Sequence, residues 1–245
     1  MNLSRPFYGM GEHFAVDLPG ARAVFTTRRS GHSRGPYASL NLGFRTDDDQ
    51  DAVARNRTTL QVELGVSSLS FVHQVHGAQV RRITGGTPEP AQRPRFDGQA
   101  TDVRGVAAAV LVADCLPIAI GGEGAIAMLH AGWRGLAAGV VGAGVEAVRE
   151  LGAVGGLSAA IGPGAGRCCY QVGPEVHAAF AGLPASVRDG DHLDLKAIAR
   201  HELELAGVAV IDDIELCTIC SEALLFSHRR DHGVTGRQAG VAWLT

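Results

Sequence analysis

Strand-like and helix-like stretches follow one another in an irregular order, and that order constrains the fold of this chain more than any other feature. Residues 21–27, 69–83 (with a break at Gly77), 106–112, 125–129, 157–161, 208–216 and 240–244 are apolar or alternating runs that read as strands. Residues 48–64, 136–151, 174–180 and 193–206 read as helices. The first helix opens on acidic residues that suit its dipole, and Val53, Leu60 and Leu64 fall near one face. The second contains Gly139, Gly142 and Gly144. Each costs about 1 kcal/mol of helix propensity relative to alanine, which close packing on a sheet would offset. Helices and strands are interspersed without the strict rhythm of a doubly wound sheet. The expected class is therefore α+β with mixed sheets.

At 245 residues, the chain is long enough for one large domain or two small ones. Residues 85–94 (GGTPEPAQRP) are the most loop-like, and strand-like sequence on both sides makes them a surface excursion within one domain spanning 1–245. The N-terminus carries no apolar run of signal-peptide length. Residues 106–120 are broken by Asp114 and Pro117 and are too short to span a bilayer as a helix. A cytoplasmic protein is expected. The net charge is −3 and no lysine/arginine block stands out, which argues against nucleic acid or a membrane surface as partner. No protein partner is readable.

The five cysteines are an odd number and argue against a disulfide framework. Cys168 and Cys169 are adjacent, and Cys217 and Cys220 form a single C-x-x-C. That pair reads as a redox motif, as half of a zinc site, or as inert buried thiols. The last is preferred for all four, because no second pair lies at ribbon spacing.

Three other residues offer a matched set of metal donors: His76 in HQVHG, Cys115 in ADCLP and His130 in LHAGWRG. Two imidazoles and a thiolate suit zinc, and three protein ligands leave a position open for chemistry. Strand parity sends His73 and His76 to opposite faces, so only His76 is a ligand candidate, with Gly77 opening space beside it. Cys115 and His130 each end an apolar run, Pro117 being expected to stop the first strand. Trp133 and Arg134 stand ready to floor and clamp a ligand. Asp114 reads either as a general base or as a structural carboxylate. Arg28, Arg29 and Arg34, in a turn-rich basic stretch, are either anion ligands or a solvated loop. Residues 162–167 (GPGAGR) match neither standard phosphate-loop pattern.

The runs TTRRSGHSRGPYASLNLG, HQVHGAQV, FDGQATD, VADCLPIAI, LHAGWRGLAAGVV, IGPGAGRCCYQVGPEV and FSHRRDHGVTGRQAGVAWL resemble the YfiH/YlmD family of laccase-domain, polyphenol oxidase-type proteins. The resemblance runs from about Ala23 to the C-terminus. It implies a single-domain, layered α/β/β/α sandwich. It also implies zinc held by His76, Cys115 and His130. The implied activity is phosphorolysis of adenosine, inosine, guanosine and methylthioadenosine, with deamination of adenosine. Some bacterial members are described instead as editing a UDP-linked peptidoglycan precursor. The chain departs from the family at Ser30, Gly164 and His228, none of them a metal position.

The leading expectation is a zinc-dependent purine nucleoside enzyme with nucleoside and phosphate as its ligands. Arg28 and Arg134 would neutralise phosphate, and Asn41 or Gln74 would bond sugar or base. An alternative makes Cys115 the nucleophile of an amidase, with His130 as base and His76 as orienting group. A copper oxidase centre needs further histidines, and the chain has no His-x-His pair. A non-catalytic nucleoside-binding role is the remaining reading.

Overall fold

Side-chain alternation along the central strands builds three apolar layers, and these define the architecture. The computed structural model describes residues 5–84 and 95–245; the 85–94 loop expected from the sequence lies outside the described residues. In chain order the elements are β1 (Tyr8–Met10), β2 (His13–Leu18), β3 (Ala21–Phe25), α1 (Gln50–Leu64), β4 (Ser68–Phe71), β5 (Val80–Ile83), β6 (Gly98–Thr101) and β7 (Val106–Val112). They continue with β8 (Leu116–Glu123), β9 (Ala125–Ala131), α2 (Trp133–Ala137), α3 (Val140–Glu150), β10 (Val154–Ile161), α4 (Pro174–Ala179), β11 (Arg188–Asp189), β12 (His192–Leu193), α5 (Leu195–Leu205), β13 (Val210–Asp213) and β14 (Gln238–Leu244).

One six-stranded sheet has the order β1-β2-β3-β14-β7-β4, and a second has β13-β10-β8-β9-β6-β5. Both are mixed: β4 runs parallel to β7, β5 to β6 and β13 to β10, whereas the other pairs are antiparallel. Between the sheets lie Phe14, Phe25, Val110, Ile126 and Met128, with Ala108, Ala119, Ala160 and Ala242 filling the narrow places. On β9 the opposite parity, Ala125, Ala127 and Leu129, meets Val141, Val145 and Val148 of α3. Leu60 and Leu64 of α1 cover the outer face of the first sheet against Val24, Val241 and Trp243. The result is the α+β, α/β/β/α layering.

Local chemistry accounts for most boundaries. Asp49 caps α1 by accepting from the Asp51 N–H, and Gly65 closes it in the left-handed conformation. Val53, Leu60 and Leu64 are buried as expected.

Several expectations need correction. The run 69–83 is not one strand: β4 and β5 belong to different sheets, and residues 72–79 form the loop that carries His76. The helix expected over 136–151 starts earlier and breaks at Gly139, whose φ of 85° interrupts the helical path between α2 and α3. Gly144 does allow close packing, since a Cβ there would lie 2.5 Å from Leu129 Cδ1. Pro117 does not stop a strand; it is the second residue of β8, paired with His130 at the sheet's rim. Proline is tolerated at such a strand start. The N-terminal strands β1 and β2 were not foreseen.

Candidate metal and substrate site

The rim where β8 begins and β9 ends gathers the three donors. His76, Cys115 and His130 present ligand atoms that all lie within 4.8 Å of one another. The His76 and His130 rings meet edge to face at 4.8 Å. His130 is the penultimate residue of β9, on the parity that faces between the sheets. Cys115 immediately precedes β8. His76 comes from the 72–79 loop in the left-handed region, with φ of 59°, so strand parity does not govern it.

Asp97, which sequence reasoning did not single out, organises this convergence. Its side chain is fully buried. One oxygen accepts from His130 Nδ1 at 2.8 Å and from the His76 N–H at 2.8 Å; the other accepts from the Gly77 N–H at 2.7 Å. The Val75 N–H lies 3.2 Å from both. One carboxylate thus fixes the ring orientation of one histidine and the backbone of the other. With Nδ1 engaged, His130 turns Nε2 toward the site. Burial pushes the Asp97 carboxyl up, but the bonds from His130 and Gly77 outweigh it and hold it below the ordinary range. The sequence signal was an acid beside Gly98, where β6 opens next to β9.

Electrostatics favour a thiolate. Burial pushes the Cys115 thiol up, yet His130 and His76 bring it down to about 6. Burial pushes His130 down, yet Cys115 and Asp97 raise it to about 9. Gly132 provides the room: a Cβ there would stand 2.8 Å from Cys115 Sγ and 3.3 Å from His76 Cδ2.

Two cavities meet at His76 and His228. The larger, about 530 Å³, is also lined by His130, Phe44, Arg45, His73 and Arg237. The smaller, about 160 Å³, is lined by Cys115, Trp133, Arg134, Tyr170 and Arg229. The larger lies in the range of small-molecule sites. Burial, together with the negative Cys115 and Asp114, pushes the Tyr170 hydroxyl up to about 12, so it stays protonated. His73, not a ligand candidate, lines the larger cavity and accepts a hydrogen bond from Arg45.

The other candidates are distributed unevenly. Arg134 is at the site, its guanidinium 4.3 Å from the Trp133 ring centroid. Gln74 lines the larger cavity, but its amide clamps the Leu111 backbone, donating to the carbonyl at 2.7 Å and accepting from the N–H at 2.8 Å. Asn41 is buried and engaged with Thr46, Asp48, Gly43 and Arg237. Arg28 donates to the Ala38 and Glu222 carbonyls, stacks over Phe226, and lines a separate depression with Arg29 and Cys220. Asp114 is a structural carboxylate. It accepts from the Thr218 hydroxyl at 2.6 Å and the Arg229 N–H at 2.7 Å, which hold its backbone at a φ of 91°. The four remaining cysteines are not buried: Cys168 and Cys220 are exposed, and Cys169 and Cys217 half-buried.

A layered sandwich with two imidazoles and a thiol facing one another at a sheet rim defines a protein with a metal-capable pocket. A sequence profile described as multi-copper polyphenol oxidoreductase laccase matches residues 22–245, and the chain belongs to that family. It is 40% identical, over 91% of its length, to the protein named purine nucleoside phosphorylase YlmD of Geobacillus stearothermophilus, covering 90% of that protein. It is 36% identical, over 92% of its length, to the one named purine nucleoside phosphorylase YfiH of Escherichia coli, covering 94% of it. A crystal structure of the YfiH protein of Bacillus licheniformis matches with a TM-score of 0.91 at 29% identity, over 99% of this chain and 100% of that one. The YfiH/YlmD resemblance is borne out.

Proposed function

We propose that this chain is a zinc-dependent purine nucleoside enzyme. It would cleave adenosine, inosine, guanosine and methylthioadenosine with phosphate and deaminate adenosine. The observation that carries the reading is the convergence of His76, Cys115 and His130 before a buried carboxylate, beside a cavity of nucleoside size. Relatives named purine nucleoside phosphorylase over nine-tenths of the chain support it.

The residues fit a metal ion. A thiolate-prone cysteine and two imidazoles, one oriented from behind by Asp97, are a donor set that zinc accepts. When bound, zinc supplies Lewis-acid and water-activating chemistry. Arg45 and Arg237 bring positive charge to the larger cavity, which suits phosphate, and Phe44 offers an apolar wall to the base. Arg134 and Arg229 do the same for the smaller cavity. Arg45, Arg229 and Arg237 join Arg134 as phosphate candidates in place of Arg28. Gln74 lines the larger cavity and Asn41 braces Gly43, Thr46 and Arg237 from behind it; the amides of both are already committed. A multicopper oxidase needs further histidine-rich centres. Among the described residues, the donor clusters are this one and a group of four cysteines.

The low Cys115 thiol favours a second reading, in which Cys115 is a nucleophile and His130 its base. One experiment separates the two. Purified protein is incubated with adenosine and phosphate before and after chelation, and the purine products are resolved. Zinc chemistry predicts adenine and inosine that disappear on chelation and return with zinc. Full turnover by metal-free protein, abolished by iodoacetamide, assigns the nucleophile instead. No nucleoside conversion under any condition overturns the nucleoside reading.

A further inference from the structure

The four cysteines outside this site come together where two loops meet. Cys168 and Cys169 lie in the loop after β10; Cys217 and Cys220 lie in the loop after β13. An isolated parallel bridge between Gly164 and Cys217, with the Thr218 N–H donating to the Gly164 carbonyl at 2.9 Å, aligns the loops. The four sulfurs all lie within 4.8 Å of one another. Cys220 Sγ stands 3.7 Å from Cys168 Sγ and 3.3 Å from Cys169 Sγ. A Zn–S length of about 2.3 Å gives a tetrahedral edge of about 3.8 Å. The sulfurs are thus spaced as ligands of one ion.

The surrounding backbone is prepared for thiolate. The Gly166 N–H points at Cys217 Sγ, 3.3 Å away. Burial pushes the Cys217 thiol up, but the N–H groups of Gly166, Cys220 and Ile219 outweigh it and hold it below its ordinary value. Gly166 sits close against the cluster: a Cβ there would lie 3.3 Å from Cys168 Sγ and 3.2 Å from Cys217 Cβ.

We propose that Cys168, Cys169, Cys217 and Cys220 form a second metal site, a closed four-thiolate centre for a zinc ion that braces the rim beside the substrate pocket. Ligation replaces four thiol protons, released to solvent, with one dication and leaves no position open for chemistry. Its structural consequence runs through Thr218, which lies between two of the ligands and donates to Asp114, the neighbour of Cys115. Arg28 and Arg29 share a depression with Cys220.

The test uses a full-length variant with His76, Cys115 and His130 all changed to Ala, which removes the other donor set and makes the outcome independent of the nucleoside reading. It is expected to keep one equivalent of zinc, with an X-ray absorption spectrum of four sulfurs at about 2.3 Å. Adding Cys217→Ser and Cys220→Ser should remove that zinc. Absence of zinc, a disulfide mass loss after non-reducing purification, or iron with labile sulfide in its place overturns the proposal. A parallel measurement on the unmutated protein guards against misfolding of the variants. Iodoacetamide labelling of the exposed Cys168 and Cys220 should be at least about tenfold slower in zinc-loaded than in chelated protein. Equal rates overturn the proposal.

Discussion

Asp97 has more consequences than any other single residue. Its oxygens hold His130 by the ring and His76 by the backbone, so it positions both donors without facing the cavity. Asp97→Asn keeps the shape but removes the charge and turns one acceptor into a donor facing backbone N–H groups. Zinc affinity should fall by about 10–100-fold, the usual cost of losing a partner behind a metal ligand. Competition with a chromophoric chelator measures it, and unchanged affinity would show that Asp97 serves only the fold. Gly132→Ala is the steric counterpart. Its new methyl group would stand 2.8 Å from Cys115 Sγ, so the variant should fold normally and bind less than about a tenth as tightly by the same assay. His76 and Asp114 both occupy positive φ. Such strain costs on the order of 1–3 kcal/mol per residue and persists where its surroundings fix it; Asp97 does so for His76, and Thr218 with Arg229 for Asp114.

At the scale of elements, β9 joins the core to the site. Leu129 is fully buried among the residues under α3, and His130 follows it into the pocket. Leu129→Ala should cost about 2–5 kcal/mol in urea unfolding, and a loss below about 1 kcal/mol would mean that α3 collapses onto the vacancy. β9 was legible as an apolar run, as were the acidic start and buried face of α1. The loop carrying His76 was not, because HQVH looks like an extended segment. Its turn is set by Asp97, which arrives from beyond residues 85–94. The same limit hid the four-cysteine group. C-x-x-C announces half a site, but Cys168 and Cys169 join it only because Gly164 pairs with Cys217, a contact between loops that no local pattern encodes. Arg28 looked like an anion ligand by composition, yet its guanidinium is taken up by the Ala38 and Glu222 carbonyls.

Across the whole molecule, alanines between the sheets bring β7, β8 and β14 close and leave the donors at one rim of a rigid sandwich. The outer helical layer carries a stability cost of its own. Glu202 on α5 has a buried Oε2 without a hydrogen-bond partner among the described residues, and burial raises its carboxyl from 4.5 to about 7. Below pH 4.5 both folded and unfolded chains hold the proton, and the residue is neutral in the balance. As pH rises toward 7 the unfolded chain ionises first, so folding stability falls, and the penalty is complete above 7. Water reaches part of the side chain, which reduces the penalty to on the order of 1 kcal/mol. Glu202→Gln should therefore raise the melting temperature by about 2–4 °C at pH 8 and leave it unchanged at pH 4. An equal shift at both pH values would assign the gain to packing rather than charge.

The most direct test of the central claim is anomalous diffraction from crystals of zinc-loaded protein, with data collected on both sides of the zinc absorption edge. The account predicts a peak within about 2.0–2.3 Å of His76, Cys115 Sγ and His130 Nε2, with no fourth protein ligand. A peak missing from that position, or one completed there by another side chain, would contradict it.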